Sequence, residues 1–527
     1  MSRSRVPFAA LAGVIAGGLT LGVAEVVAAV VSPTAAPILA VGSAFIDLTP
    51  PALKNFAVEN FGTNDKLVLL VSMAVVIALL SAVAGVVSLR NRWAGRALVV
   101  LLGVVAAAAA LTRASAGPLD ALPSILGVAA GLVGLNLLMD RIQPADRTPA
   151  GTSADSADLA DSATAGSPPV PARRSFLAAA GITAALAAVA GAGGRFLGQA
   201  ARNVSETRAN LNLPAPATAA TAVPAAATAP VEGLVPFVTP NADFYRIDTA
   251  LTVPNIDPAT WRLRVHGMVE NEIELTYQDL VDGDLIETWL TLTCVSNEIG
   301  GDLVGNAKWL GLPIRDVLAR AKPTGDADMV LSMSEDGWKA STPLEVLQED
   351  DRDALFAIAM NDEPLPLEHG FPVRMVVPGL YGFVSATKWV TDIEVTRFAD
   401  ATAYWTDRGW SDKAPIKTAC RLEVPGGFAQ VPAGTVAVGG TAWAQHRGIT
   451  AVEVRVDEGE WQPATLADEA NLDTWRQWSF QWEGATPGPH TLTVRATDGA
   501  GEVQTQEKAN PIPNGASGWH SRQVTVT

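Results

Sequence analysis

The chain holds two cysteines, Cys294 and Cys420, and five histidines, His266, His369, His446, His490 and His520. Cys294 ends an alternating run from Glu287 through Thr291-Leu292-Thr293 and is followed by Val295-Ser296-Asn297-Glu298 and by Gly300-Gly301. A thiolate at a strand-to-loop junction is well placed to bind a soft metal, but a lone buried cysteine is as readily a small hydrophobe, and the spacing leaves a Cys294 to Cys420 bridge open. No zinc-type cluster surrounds Cys294, because there is no second cysteine nearby and His369 is the only histidine in the middle of its domain. No histidine precedes His266, which rules out a bis-histidine haem in the apolar N-terminal part; no CxxCH sequence occurs, so no haem is predicted.

These residues need a scaffold, and 527 residues are too many for one core. Nearly all the charge-poor apolar sequence lies before residue 200, and the charged, Trp-rich sequence after 235. The formal net charge of -17 argues against nucleic-acid binding, which requires clustered Lys and Arg. Apolar stretches at about 8 to 31, 66 to 89, 97 to 112 and 119 to 139 are long enough to cross a hydrocarbon core of ~30 Å. The 32 to 65 loop carries Asp47, Glu59 and Asp65, whereas Arg90, Arg92 and Arg96 separate the second and third spans. The Arg-rich loop is therefore expected in the cytoplasm, together with Arg3, Arg5 and Arg141.

Residues 144 to 172 have a linker composition. Arg173-Arg174-Ser175-Phe176-Leu177 then precedes a weakly hydrophobic run; the pair is either a topogenic flank or, by its resemblance to a twin-arginine export signal, the start of a retained fifth span. An Ala/Pro-rich spacer leads to Trp261-Leu263-Val265, which alternate with Arg262, Arg264 and His266 as in a half-buried strand. Helices are expected at Pro313 to Ala321 and Pro343 to Asp350. After Pro415 the pattern is all-β: Val452, Val454 and Val456, then Leu492, Val494 and Ala496 before an Asp498-Gly499 turn, suit an immunoglobulin-like sandwich. The expected organisation is multi-domain: a four-helix transmembrane region over 1–143, a cytoplasmic linker over 144–172, an anchor over 173–197, a linker over 198–235, an α+β domain over 236–412 and an all-β domain over 413–527.

Four further segments carry a resemblance. They are Phe244-Tyr245-Arg246 with Val253-Pro254-Asn255 and Asp257-Pro258; Thr291-Leu292-Thr293-Cys294; Met360-Asn361 through Pro364-Leu365-Pro366 to His369-Gly370-Phe371-Pro372-Val373-Arg374; and Thr387-Lys388-Trp389. From Phe244 onward the chain resembles the sulfite oxidase family, including its C-terminal dimerisation domain, to whose end Pro513-Asn514-Gly515 and Gly518-Trp519-His520 are similar. The resemblance implies molybdenum held by a pterin (molybdopterin), with Cys294 as the protein ligand and Arg246 beside the metal. It places His369, Arg374 and Lys388 around the pterin and its phosphate, and more weakly Tyr245, Asp336, Ala386 and Thr387. The residue types agree, since a guanidinium fork fits an oxyanion and an ammonium adds a point charge.

The implied activity is two-electron oxygen-atom transfer on a small substrate of the sulfite, S-oxide or N-oxide class. Electrons would pass to a separate cytochrome or quinone-linked carrier. The catalytic domain would lie outside a multi-pass cytoplasmic-membrane anchor in contact with lipid, with a homodimer as a family expectation. The alternatives are an S-oxide or N-oxide reductase of the same fold, and a non-enzymatic anchored binding or structural protein. Two departures bear on the substrate. Where sulfite oxidases carry an Asn-Arg-Arg run, this chain has Asn297-Glu298-Ile299, and the family's catalytic tyrosine aligns with Trp410.

Overall fold

The computed structural model describes residues 5–50, 53, 56, 60–61, 65–113, 116–142, 172–200 and 204–527; the linker expected over 144–172 lies, but for its last residue, outside the described residues. Two compact units emerge, Met1–Arg202 and Asn203–Thr527.

In the first unit the described helices are α1 (Val6–Val31), α2 (Pro37–Leu48), α3 (Asp65–Ser88), α4 (Arg92–Leu111), α5 (Leu122–Ile142) and α6 (Ala172–Ala200). Among the described residues, five helices are long and apolar enough to cross a membrane: Val6–Val31, Lys66–Ser88, Arg92–Leu111, Leu122–Ile142 and Arg174–Arg195. Helix α1 packs against α3, α5 and α6. Small residues permit this: a Cβ on Gly13 would collide with Ser81 O and one on Gly85 with Ala9 O, so α1 and α3 touch backbone to backbone. Two expectations shift. Helix α4 begins at Arg92 rather than 97, because Asn91 Oδ1 accepts from Trp93 N and Ala94 N and caps it there. The loop expected over 32 to 65 contains α2, which is too short to span and whose Ala40 packs with Ala109 and Ala110.

The second unit opens with the short helix α7 (Val204–Ala209). The spacer expected up to residue 235 is instead held on the fold: Ala217 N donates to Leu285 O, Ala229 N to Gln477 Oε1 and Val235 N to Glu423 Oε2. Its Ala and Pro side chains are small enough to lie flat there, and Ala227 is fully buried.

The α+β part has two sheets. One runs β2 (Ile273–Thr276), β1 (Arg262–Gly267), β10 (Val390–Thr396), β5 (Met329–Ser334), β6 (Lys339–Pro343); the other runs β3 (Ile286–Thr293), β4 (Val304–Pro313), β7 (Leu355–Met360), β8 (Glu363–Pro364), with β9 (Arg374–Val376) paired to β7. Strand β1 buries Leu263 and Val265, and Trp261 just before it, as the alternation requires. Helices Ile314–Ala321 and Leu344–Gln348 stand where the proline signals put them, each entered from a proline N-cap. The β-rich remainder has sheets β11 (Ala419–Val424), β13 (Gly434–Trp443), β17 (Arg476–Ala485), β16 (Thr465–Leu466) and β12 (Gln430–Val431), β19 (His520–Val526), β18 (Gly488–Asp498), β14 (Ile449–Val456), β15 (Gln462–Pro463). Leu422, Val438 and Trp478 of the first meet Val452, Val454, Leu492 and Val494 of the second in one core.

Candidate active site

Strand β3 delivers Cys294. Its partner β4 returns after a tight loop in which Cys294 N donates to Leu303 O and Asn297 Oδ1 accepts from Leu303 N, both at 2.9 Å. Both cysteines are free and buried, so the bridge between them does not form. Cys420 lies in β11, in the core of the β-rich part. Burial pushes the Cys294 thiol up, against hydrogen bonds from Ser296 that lower it.

Strand β9 delivers Arg374, which is 5% exposed. Its guanidinium donates to His369 O at 3.2 Å, Met375 O at 3.3 Å and Ala386 O at 3.5 Å, and lies 5.2 Å over the Trp309 ring. Burial lowers it to about 10, and the influence that opposes burial is the Tyr245 hydroxyl, with no carboxylate among its causes. Arg374 bridges to Lys388 across the backbone. Lys388 Nζ donates to Asp248 Oδ2 at 2.6 Å and Glu368 O at 3.0 Å; burial brings it to about 8 in spite of Asp248. His369 Nε2 donates to Asn241 O at 3.2 Å, and burial, then Arg374 and Lys388, lower the imidazole to about 4. The ring is thus neutral near pH 7, with Nδ1 left as an acceptor.

Tyr245 stacks on Phe244 at 5.2 Å and Phe244 meets His369 edge-on at 5.7 Å. The Tyr245 hydroxyl is raised by burial and then by the Cys294 thiol, which ties the cation cluster to the cysteine. Arg246 stands further out, 39% exposed, with Nε on Asp248 Oδ2 at 2.9 Å. Thr387 is fully buried, its hydroxyl 2.7 Å from Ser332 Oγ, while Ala386 contributes its carbonyl to Arg374. Asp336 sits in the β5–β6 turn, where Oδ1 accepts from Trp338 N; Glu335 N, one residue before it, reaches Trp389 O. The structure thus brings Tyr245, Arg246, His369, Arg374, Ala386, Thr387 and Lys388 into one neighbourhood, with Asp336 at its edge.

The 381–384 loop adds Tyr381, buried and raised to about 12 by burial, with Cys294 among its further causes, and Phe383, 5.7 Å from Trp410. Trp410 in turn meets Trp405 at 6.0 Å. Of the two departures after Cys294, Glu298 is exposed, so its charge is screened, whereas Ile299 packs beside Gly518 and Lys508. Sequence reasoning missed Asp248, although it stands only two residues from Arg246, with which it pairs. It also missed the grip of the β-rich part on the Cys294 segment. Gln445 Nε2 donates to Thr291 O and Thr293 Oγ1, Arg421 Nη1 donates to Gly301 O at 2.9 Å, and the His520 ring abuts Gly300 so closely that a side chain there would collide with it. Nothing local in the sequence signals such long-range contacts.

Residues 250–405 match the oxidoreductase molybdopterin binding domain model. Mitochondrial sulfite oxidases of Mus musculus and Homo sapiens are each 29% identical over 353 residues, covering 55% of this chain and 62% of those proteins. The chain therefore spans less than two thirds of these relatives. An uncharacterized oxidoreductase, YuiH of Bacillus subtilis, is 32% identical over 154 residues, covering 29% of this chain and 74% of that protein. Among solved structures, the sulfane dehydrogenase SoxCD from Paracoccus pantotrophus overlaps at a TM-score of 0.48 and 21% identity, over 55% of this chain and 81% of that one. From the domain match and the identity to YuiH and the sulfite oxidases, the chain belongs to the sulfite oxidase family of molybdopterin-dependent oxidoreductases.

Proposed function

We propose that this protein is a membrane-anchored enzyme that carries out a two-electron oxygen-atom transfer at a molybdenum-molybdopterin centre in a domain on the extracytoplasmic side. The observation that carries this reading is Arg374: a buried guanidinium held by carbonyl oxygens, with no carboxylate acting on it among the described residues, beside Lys388 and a neutral His369. A buried cation without a counter-ion is costly and suits an anionic group such as the pterin phosphate. Cys294 fits as the metal ligand, because burial favours the protonated thiol and a thiolate there calls for a cationic partner. When bound, the group supplies the redox change and the oxygen-atom chemistry.

The chain's own residues do the rest. Arg374 and Lys388 hold the phosphate, His369 Nδ1 offers an acceptor, and Tyr245, Trp309 and Phe244 exclude water from the cations. Phe383, Trp405 and Trp410 form an aromatic wall near the Cys294 loop, which favours a neutral S-oxide or N-oxide over a dianion; turnover in either direction then needs a separate cytochrome or quinone-linked carrier. The anchor reading rests on five apolar helices and on the Arg-rich turn before α4. Arg92 pairs with Asp140 and Arg96 Nε donates to Asn136 Oδ1 at 2.9 Å, which sets that turn beside the Arg141 end of α5. With those ends in the cytoplasm, five crossings leave residues 204–527 outside. The two-sheet C-terminal part is read as an immunoglobulin-like dimerisation domain.

Metal and pterin analysis of the purified full-length protein tests the proposal: about one molybdenum per chain is expected. Cys294→Ser should abolish turnover while the protein stays folded, because a hydroxyl is a poor substitute for a thiolate donor. A fully active serine variant, or wild-type protein without molybdenum after expression with the cofactor supplied, refutes it.

A further inference from the structure

Asp248 lies just outside the matched residues 250–405, on the segment that carries Tyr245 and Arg246. Its carboxylate is 5% exposed, and one oxygen, Oδ2, takes both Arg246 Nε at 2.9 Å and Lys388 Nζ at 2.6 Å. Lys388 is anchored independently, by Glu368 O and by the Trp389 ring at 4.6 Å. Arg246 differs: it is the half-exposed cation of the cluster, beside Ile247, which is 45% exposed, so this is the solvent-facing side of the cluster. An arginine there would ordinarily attract oxyanions, since its fork matches their geometry. Here its Nε is already spent on an internal carboxylate that also cancels one positive charge in a poorly solvated place, where charges act strongly.

We infer that Asp248 is a specificity-determining residue: it holds Arg246 in an internal ion pair that weakens its pull on a dianionic oxyanion and so favours neutral oxo-substrates. This deepens the neutral-substrate reading above and rests on it. Arg374, buried deeper and with no carboxylate acting on it among the described residues, keeps its charge for the cofactor, whereas toward the solvent side one carboxylate is shared by Arg246 and Lys388.

The test is sulfate affinity of full-length, metal-replete protein by titration calorimetry at low ionic strength, read for Asp248→Asn, Arg246→Gln and the double variant. Asp248→Asn should bind sulfate at least about tenfold more tightly, about 1.4 kcal/mol. Arg246→Gln alone should change sulfate affinity little, and in the Asp248→Asn background it should abolish the gain, the non-additivity expected of a masked group. The inference is overturned if Asp248→Asn leaves sulfate affinity unchanged or weaker, or if the gain survives loss of Arg246. Should Asp248→Asn fail to fold, Arg246→Gln decides by itself: a tenfold loss of sulfate affinity from otherwise wild-type protein means that Arg246 was never masked. Molybdenum content of the wild type, measured on the same preparation, separates failure of this inference from failure of the cofactor reading.

Discussion

Arg374→Met separates a cation kept for a ligand from one kept for the fold. Burial has moved Arg374 from the ordinary arginine range to about 10, which at ~1.4 kcal/mol per pH unit is a burden of about 3 kcal/mol on the charged form. Opposing it are hydrogen bonds of 3.2 to 3.5 Å to three carbonyl oxygens and the Trp309 ring, together about 2 to 4 kcal/mol. Methionine fills most of the same volume, so the cofactor-free protein should change in stability by no more than about 1 kcal/mol. Arg421→Met is the internal control: that guanidinium pairs with Glu423 at 2.7 Å, both side chains 7% exposed, and removing one partner of such a pair costs about 3 to 5 kcal/mol. Denaturant unfolding of the full-length protein from a host unable to make the pterin, followed by tryptophan fluorescence, reads both. In a competent host Arg374→Met should lose cofactor affinity by about 100-fold or more, the worth of two charge-assisted bonds. If Arg374→Met destabilises the cofactor-free protein as much as Arg421→Met and still carries a full complement of pterin, Arg374 is structural and the argument fails.

The acid limb of stability offers a second check. His369 titrates near 4 in the fold and near 6.5 when unfolded, so its contribution is complete above pH 6.5 and is lost as pH falls toward 4; His369→Gln should flatten melting temperature against pH across that window, and an unchanged slope would contradict the burial argument. Gln445→Leu removes two hydrogen bonds to strand β3 just before Cys294 and should destabilise by about 1 to 3 kcal/mol, while in the cofactor-free protein Cys294 becomes more reactive toward a maleimide; equal reactivity would mean that the β-rich part does not steady the strand that ends at Cys294. For topology, a reporter fused after residue 235 should be active outside and one in the 90 to 96 loop inside, and the opposite pattern would remove the anchor reading. Arg173→Lys with Arg174→Lys keeps the charge and should block export if the pair is an export signal; unchanged export identifies a plain topogenic flank.

What the sequence by itself determined is what chain geometry imposes locally. Twenty or so apolar residues satisfy the length of a membrane-crossing helix whatever surrounds them, so the candidate spans could be read to within a few residues. Alternation made Trp261, Leu263 and Val265 an inner face, and the run from His369 to Arg374 helped carry the resemblance to the family. The tertiary structure decided everything that depends on which distant groups meet. Asp248 and Lys388 are 140 residues apart, so no local pattern shows that one carboxylate is shared between two cations. The composition of residues 209 to 232 says spacer, yet a backbone whose donors find acceptors on strands hundreds of residues away lies down on them. The same holds for the cysteines: two thiols in one chain leave a bridge open, and only the fold, which buries both as free thiols with Cys420 in the core of the β-rich part, closes that option. Glu298 reads as a charge set against the Cys294 loop until its exposure hands it to solvent, and the electrostatic weight passes to Asp248, because burial, which sequence does not encode locally, decides how strongly a charge is felt.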